Sequence, residues 1–268
     1  MFRRFGFTIA AVLLFAASIN AFAEDKVIRI GATSGPQAQV LEVAKRVFER
    51  QSGLKLQIIE FNDYIQPNAA LDAGELDANA YQHRPFLNAQ IKARGYKLVG
   101  VGRTIIGPMA IYSKKFRTLA ALPVGAKIGV PNDPANESRV LLLLQKQGVI
   151  KLRTGIDPIA GVNATIIDII DNPKKFKFVE IDAAQLPRTL DDLDASAINA
   201  DYAVKAGLNP PRDSLIIESG DGPYACLIAV REKDKDQPWL PKLIKAYQSD
   251  EVKKFVETEF KGGMLAAW

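Results

Sequence analysis

The chain has 268 residues, 48% of them apolar and 24% charged, with a formal net charge of +5. That is apolar enough for sizeable cores, and no dense Lys/Arg block interleaved with aromatics occurs, which argues against a nucleic-acid partner. The single histidine, His83, and the single cysteine, Cys226, lie 143 positions apart, which discounts a zinc site and forbids an internal disulfide.

The first residues read as an export signal. Arg3 and Arg4 precede an apolar run from Phe5 to Ala17, and Ala21-Phe22-Ala23 has the small-residue pattern of a cleavage site. The run is short for a bilayer span. Residues 1–23 are therefore expected to be a cleavable signal peptide, with the mature chain starting near Glu24. Loss of Arg3 and Arg4 takes the net charge from +5 to +3. No cysteine lies near the cleavage site, so the expectation is a freely diffusing periplasmic protein without a lipobox cysteine. The remaining length suits two lobes better than one.

Val27 to Ala32 alternates as a strand does, and Thr33-Ser34-Gly35-Pro36 is a turn. Val40, Leu41, Val43, Ala44, Val47 and Phe48 recur at helical spacing, with Gly53 as the C-cap. Leu54–Phe61 is a second strand, Ile65–Ala73 a second helix and Leu76–Tyr81 a third strand. Pro85 opens a helix over Phe86–Ala93 that Gly95 closes. Lys97–Gly102 and Met109–Ser113 are further strands. This β-α-β-α-β order predicts parallel strands with covering helices.

The pattern then restarts. Lys127–Val130 is a strand, Pro131–Pro134 a turn, and Ser138–Lys146 a helix with a buried Leu141–Leu144 run and Gly148 as its stop. Thr165–Ile170 is a short helix, Lys177–Asp182 a strand, Leu186–Leu193 a helix and Ala195–Asn199 a strand. A helix over Tyr202–Ala206, strands at Leu215–Ile217 and Tyr224–Arg231, and helices over Leu240–Tyr247 and Asp250–Phe260 complete the chain. The expected architecture is α/β and two-lobed, of the type II binding-protein kind. Each lobe is a mostly parallel sheet flanked by helices, with a cleft between the lobes. Residues 24–112 plus 225–268 form the first lobe and 113–224 the second. Two crossings, near Ile111–Lys114 and Glu218–Leu227, make a hinge that a ligand would close.

The stretch from Leu76 to Leu87 holds Tyr81, His83, Arg84 and Phe86 where a strand hands over to a helix, the edge at which α/β sheets bind ligands. Each residue alone also has a plain structural reading, His83 as a satisfied buried imidazole and Tyr81 and Phe86 as core. Arg139 is expected at a helix start, where its charge opposes the dipole unless it faces an anion. It is either a solvated partner of Glu137 or a fork on a ligand carboxylate. Asn199 ends a strand, as a turn residue or a hydrogen-bond partner. No nucleophile elbow and no phosphate-binding G-x-x-x-x-G-K-[ST] loop is present.

Several ordered segments resemble one family. They are Glu60-Phe61-Asn62-Asp63-Tyr64, Asp77-Ala78-Asn79-Ala80-Tyr81-Gln82-His83, Arg94-Gly95-Tyr96-Lys97-Leu98-Val99, Val130-Pro131-Asn132-Asp133-Pro134, Gln185-Leu186-Pro187-Arg188 and Ala246-Tyr247-Gln248-Ser249-Asp250-Glu251-Val252. The chain is similar, over nearly all its mature length, to the methionine-binding NlpA/MetQ family of substrate-binding proteins for bacterial ABC importers. The resemblance implies two α/β lobes around a cleft. It implies a methionine-like ligand, no cofactor, no metal and no catalysis. The partners it implies are an ABC permease and its cytoplasmic ATPase, and the protein is expected to act as a monomer. Tyr64, Tyr81, His83 and Phe86 would form the slot for the thioether. Arg139 would hold the carboxylate, with Asn136 and Asn199 on the head group and Tyr224 nearby. An unbranched four-atom side chain gains about 2–3 kcal/mol on burial, and sulfur against rings adds about 0.3–1.5 kcal/mol.

One position departs from the family. Relatives carry asparagine two residues after the tyrosine that matches Tyr224, and here Cys226 stands there. A thiol is a much weaker hydrogen-bond partner than a carboxamide. The swap leaves D-methionine, a methionyl dipeptide or another small apolar amino acid open as ligands, beside the reading of Cys226 as a small buried residue. An exported enzyme using His83 and a surface interaction protein are the competing function classes.

Overall fold

The structure is a computed structural model that describes residues 27–268. The expected signal peptide, 1–23, lies outside the described residues. In the first half, β1 (Ile28–Thr33), α1 (Pro36–Ser52), β2 (Leu56–Phe61), α2 (Gln66–Asp72), β3 (Ala78–His83), α3 (Arg84–Arg94) and β4 (Leu98–Arg103) follow the expected alternation. The helical spacing of α1 puts Val40, Leu41, Val43, Ala44, Val47 and Phe48 on its buried face. Gly53 ends it in the left-handed region, its N–H bonding the Glu49 carbonyl.

Beyond β5 (Ile105–Ile106) and β6 (Ala110–Tyr112), the second half holds β7 (Lys127–Pro131), α4 (Pro134–Lys146), β8 (Lys151–Leu152), β9 (Ile169–Asp171), β10 (Lys177–Ile181), β11 (Ala195–Ile198), α5 (Ala200–Lys205), α6 (Pro210–Asp213) and β12 (Ser214–Ile217). The chain then returns through β13 (Cys226–Arg231), α7 (Leu240–Tyr247), α8 (Asp250–Phe260) and β14 (Leu265–Ala266).

Two five-stranded sheets result, ordered β2-β1-β3-β13-β4 and β10-β7-β11-β6-β12. The α/β two-lobed expectation holds, but each sheet is mixed. β1 pairs in parallel with β2 and β3, whereas β13 runs antiparallel to β3 and β4. The second sheet repeats this, with β7 parallel to β10 and β11, and β6 antiparallel to β11 and β12. The cause is the double crossing. In each sheet the fourth strand is the one that arrives from the other half of the chain, and it enters against the local direction. β6 accordingly pairs in the second sheet, although the sequence boundary at residue 112 assigns it to the first lobe. The segments that join the sheets are Thr104 to Met109 and Glu218 to Ala225.

Two other expectations are corrected. Thr165–Ile170 forms only a short 3-10 turn, Ile166–Asp168, before β9, because the Asp168 carboxylate accepts the Thr165 N–H at 2.8 Å and closes the turn on itself. Leu186–Leu193 is likewise a short 3-10 turn, Leu186–Leu190. There Thr189 Oγ1 bonds the Leu186 carbonyl at 2.7 Å and Ser196 at 2.7 Å, which ties the turn to β11.

Packing follows the two sheets. Phe48, Leu243, Tyr247, Val252 and Val256 of α1, α7 and α8 cover β1 and β3. Val140, Leu141 and Leu144 of α4 pack on Ile128 and Val130 of β7 and Ala195 and Ala197 of β11.

Candidate ligand-binding site

A cavity opens where the carboxyl ends of β3 and β11 meet the two joining segments. It is lined by Tyr64, Tyr81, His83, Phe86, Asn136, Arg139, Asn199, Tyr224 and Cys226, so all nine residues singled out from the sequence fall around one space. About 400 Å³ of space lies among the lining atoms. Gln37, Asp201 and Met264 also line it, and no sequence signal had marked them.

One end is built of rings. Tyr64 lies 6.1 Å from Tyr81 and 5.9 Å from Phe86 between centroids, and Phe86 stands edge-on to His83 at 6.2 Å. The Tyr81 hydroxyl donates to the Tyr64 carbonyl at 2.9 Å and the Tyr64 hydroxyl to Asp201 Oδ1 at 2.6 Å, which fixes both rings.

Backbone geometry sets the state of His83. It is the last residue of β3 and the N-cap of α3, where Nδ1 accepts the Phe86 N–H at 3.2 Å. Nε2 must then carry the proton, and it donates to Asn136 Oδ1 at 3.1 Å. Burial, with the Arg139 charge, lowers the imidazole to about 3. Both ring nitrogens are engaged and the ring is neutral.

Asn136 is oriented by a carboxylate. Asp133 caps α4, accepting the Asn136 N–H and the Asn136 Nδ2 at 2.9 Å each. A carboxylate only accepts, so Asn136 Oδ1 faces away and accepts from His83 and, at 2.9 Å, from Asn199 Nδ2. This cap also moves the helix start to Pro134. Arg139 is therefore the sixth residue of α4, not at its start as the sequence suggested.

The anion that Arg139 faces is internal and is not Glu137. Its Nε donates to both oxygens of Glu218, at 3.0 and 3.2 Å, and Nη2 donates to Glu218 Oε2 and, at 2.9 Å, to the Gly107 carbonyl. The guanidinium carbon sits 4.3 Å from the centre of the Tyr224 ring. Gly107 and Tyr224 belong to the two joining segments, and Glu218 begins the second. Gly107 must lack a side chain there, since a Cβ would lie 2.8 Å from Ala200 Cβ. Nη1 makes no hydrogen bond to the described residues, which leaves a charged donor at the cavity.

Cys226 is paired in register with His83 across β13 and β3. Its thiol donates to the Tyr81 carbonyl at 3.3 Å and accepts from Gln37 Nε2 at 3.5 Å. Burial pushes the thiol up to about 12. Tyr224 lies two residues before β13, outside the strand expected to begin with it. Among the described residues no His/Cys/Asp/Glu group is placed to hold a metal ion.

The chain matches the family model described as NlpA lipoprotein over residues 28–268. It is 47% identical over 243 residues to the D-methionine-binding lipoprotein MetQ of Salmonella typhimurium, covering 90% of this chain and 88% of the relative. It is 46% identical over 260 residues to outer membrane lipoprotein 3 of Mannheimia haemolytica, covering 97% of each. Among solved structures it resembles a nutrient binding protein from Burkholderia cenocepacia bound to methionine, with TM-score 0.88, 57% identity, and coverage of 90% of this chain and all of that one. The lipoprotein names overturn the expected location, a freely diffusing periplasmic protein without a lipobox cysteine. That Cys226 is the only cysteine is a fact of the sequence; the location drawn from it is not kept. With a match that spans the described fold and relatives this similar along most of their length, the chain belongs to the NlpA lipoprotein family.

Proposed function

We propose that this protein is a solute-binding protein that captures methionine or a close analogue and delivers it to an ABC importer. Relatives that bind methionine by name and the methionine-bound Burkholderia structure support the ligand class. The observation that carries the reading is the polarity of the slot, with rings of Tyr64, Tyr81 and Phe86 at one end and, lining the same space, Arg139, whose Nη1 makes no hydrogen bond to the described residues. A thioether side chain suits the rings. A carboxylate suits the guanidinium, which reaches it through one nitrogen because Glu218 holds the Nε edge. His83, Asn136, Asn199, Tyr224 and Cys226 act in this reading as ligand-contacting or orienting residues.

The division into lobes follows the sheets, with residues 27–109 plus 225–268 in one and 110–224 in the other. The ligand closes the lobes, and the closed form is the one a permease engages while a cytoplasmic ATPase drives transport. The protein works as a monomer and binds its ligand without converting it. The saturation of both His83 nitrogens supports binding over acid–base chemistry.

Titration calorimetry tests the reading, using protein unfolded and refolded to strip carried-over ligand. One molecule of L- or D-methionine per chain, bound with measurable heat, is expected. No heat and no thermal shift with either enantiomer, with other apolar amino acids or with short peptides rejects it.

A further inference from the structure

The residues that follow α8 run across both joins between the sheets. Lys261 and Gly262 have positive φ, 47° and 90°, and turn the chain back from the end of the helix. The segment first meets α6, which leads into β12 of the second sheet. A Cβ on Gly262 would lie 3.3 Å from Pro211 Cγ, and one on Gly263 would lie 3.1 Å from Pro210 Cδ. Both ends of the segment belong to the first sheet's layer. Phe260 packs in its core, and the Trp268 ring stands edge-on to Tyr247 at 6.2 Å.

Between those ends it touches each join. β14 pairs antiparallel with β5 in the first, Leu265 opposite Ile106 and Ala266 opposite Ile105, and the Ala267 N–H donates to the Thr104 carbonyl at 3.1 Å. Met264, fully buried, lies against Gly107 of the same join, where a Cβ would come within 3.0 Å of its sulfur. Leu265 reaches the second join, since a Cβ on Gly220 would lie 2.8 Å from its Cδ1. A hinge turns through the backbone dihedrals of its joins. Here neither join can turn without moving or breaking β14.

We propose that Lys261–Trp268 is a clasp over the two joins that sets how readily the lobes part, with Met264 and Leu265 as its positioning residues. Met264 lines the ligand cavity, and Leu265, next in the chain, touches the second join. A ligand packed on Met264 steadies the clasp, and the clasp in turn slows the ligand's release. The effect on release rests on the solute-binding reading of the cavity. The coupling of the two joins through the clasp does not.

The test uses the full chain and two substitutions that loosen the clasp from opposite sides. Ala267→Pro removes the N–H given to Thr104 in the first join. Leu265→Ala removes the contact with Gly220 in the second. Hydrogen exchange read by mass spectrometry on unliganded protein follows peptides over 104–109 and 218–225. Each variant should speed exchange in both joins by about threefold or more, with α4 unchanged as the check on folding. Acceleration confined to the join that each substitution touches, or none in either, overturns the clasp. Should Ala267→Pro fail to fold, Leu265→Ala decides, since its side chain is partly exposed. Stopped-flow release of L-methionine should quicken by about threefold or more while association changes less than about twofold. Unchanged release with faster exchange overturns the link to the ligand. A wild type that binds no methionine overturns the solute-binding reading alone, and exchange still decides the clasp.

Discussion

The Arg139 guanidinium donates through Nε to both carboxylate oxygens of Glu218, at 3.0 and 3.2 Å, and so anchors a cavity-lining charge to a segment that joins the two sheets. Its bond to Gly107 and its contact with Tyr224 extend the same anchorage to both joins. In the proposed reading, the ligand's carboxylate and the joins between the sheets would therefore depend on one side chain.

Arg139→Ala should cost more than binding. Removing one partner of a buried, hydrogen-bonded charge pair typically costs about 2–5 kcal/mol. Methionine affinity should fall by well over tenfold in calorimetry. The unliganded protein should also melt earlier, because the half-buried Glu218 loses its counter-charge and keeps only the Met109 N–H. Arg139→Lys should restore the charge but not the fork, and so recover only part of the affinity and remain weaker than wild type.

The ring end should read sulfur. L-norleucine replaces the thioether sulfur with a methylene at nearly constant shape. It should bind more weakly than L-methionine by about 0.3–1.5 kcal/mol, the range of sulfur–aromatic contacts. Phe86→Ala should shrink that difference in paired titrations. An unchanged difference would remove Phe86 from the slot.

The Cys226 thiol should resist modification. With its pKa pushed up to about 12 and its side chain buried, it holds almost no thiolate near pH 8. A colorimetric thiol reagent at that pH should label it rapidly only after unfolding, and bound ligand should slow the labelling of folded protein further. Cys226→Asn should change ligand preference, since a carboxamide in place of the thiol frees Gln37 to rotate.

His83 should not titrate between pH 5 and 8 in the folded protein. Its folded value is about 3 against an ordinary 6.5, so the unfolded chain takes up the proton first as pH falls. Stability linked to His83 is present above about pH 6.5 and is lost as pH falls from there toward 3. As the only histidine, its ring protons give a clean proton NMR readout. A midpoint near 6.5 in the folded state would contradict the buried, neutral assignment.

Much of this site was legible in the sequence because its residues sit at strand ends. Tyr81 and His83 close β3, Asn199 follows β11, and Gly53 and Gly95 mark helix ends through their left-handed geometry. What was hidden depended on long-range pairing. Glu218 is 79 positions from Arg139, and nothing local signals their contact. The antiparallel entry of β6 and β13 arises from the chain crossing twice, which periodicity does not encode. The start of α4 was misplaced because Asp133, not Ser138, supplies the cap, and Ser138 instead accepts the Ala164 N–H at 2.9 Å. Asp201 and Gln37 were missed although each lies in the first turn of a helix that follows a strand. The strand-end rule applied to Thr33–Pro36 and to Asn199 would have reached both.

The most direct test is mass spectrometry of the small molecule that co-purifies with native protein, quantified per chain after acid release. Methionine, or an amino acid of the same unbranched shape, is expected at up to one molecule per chain. A sugar, an oligopeptide or a metal ion recovered there in stoichiometric amount would contradict it.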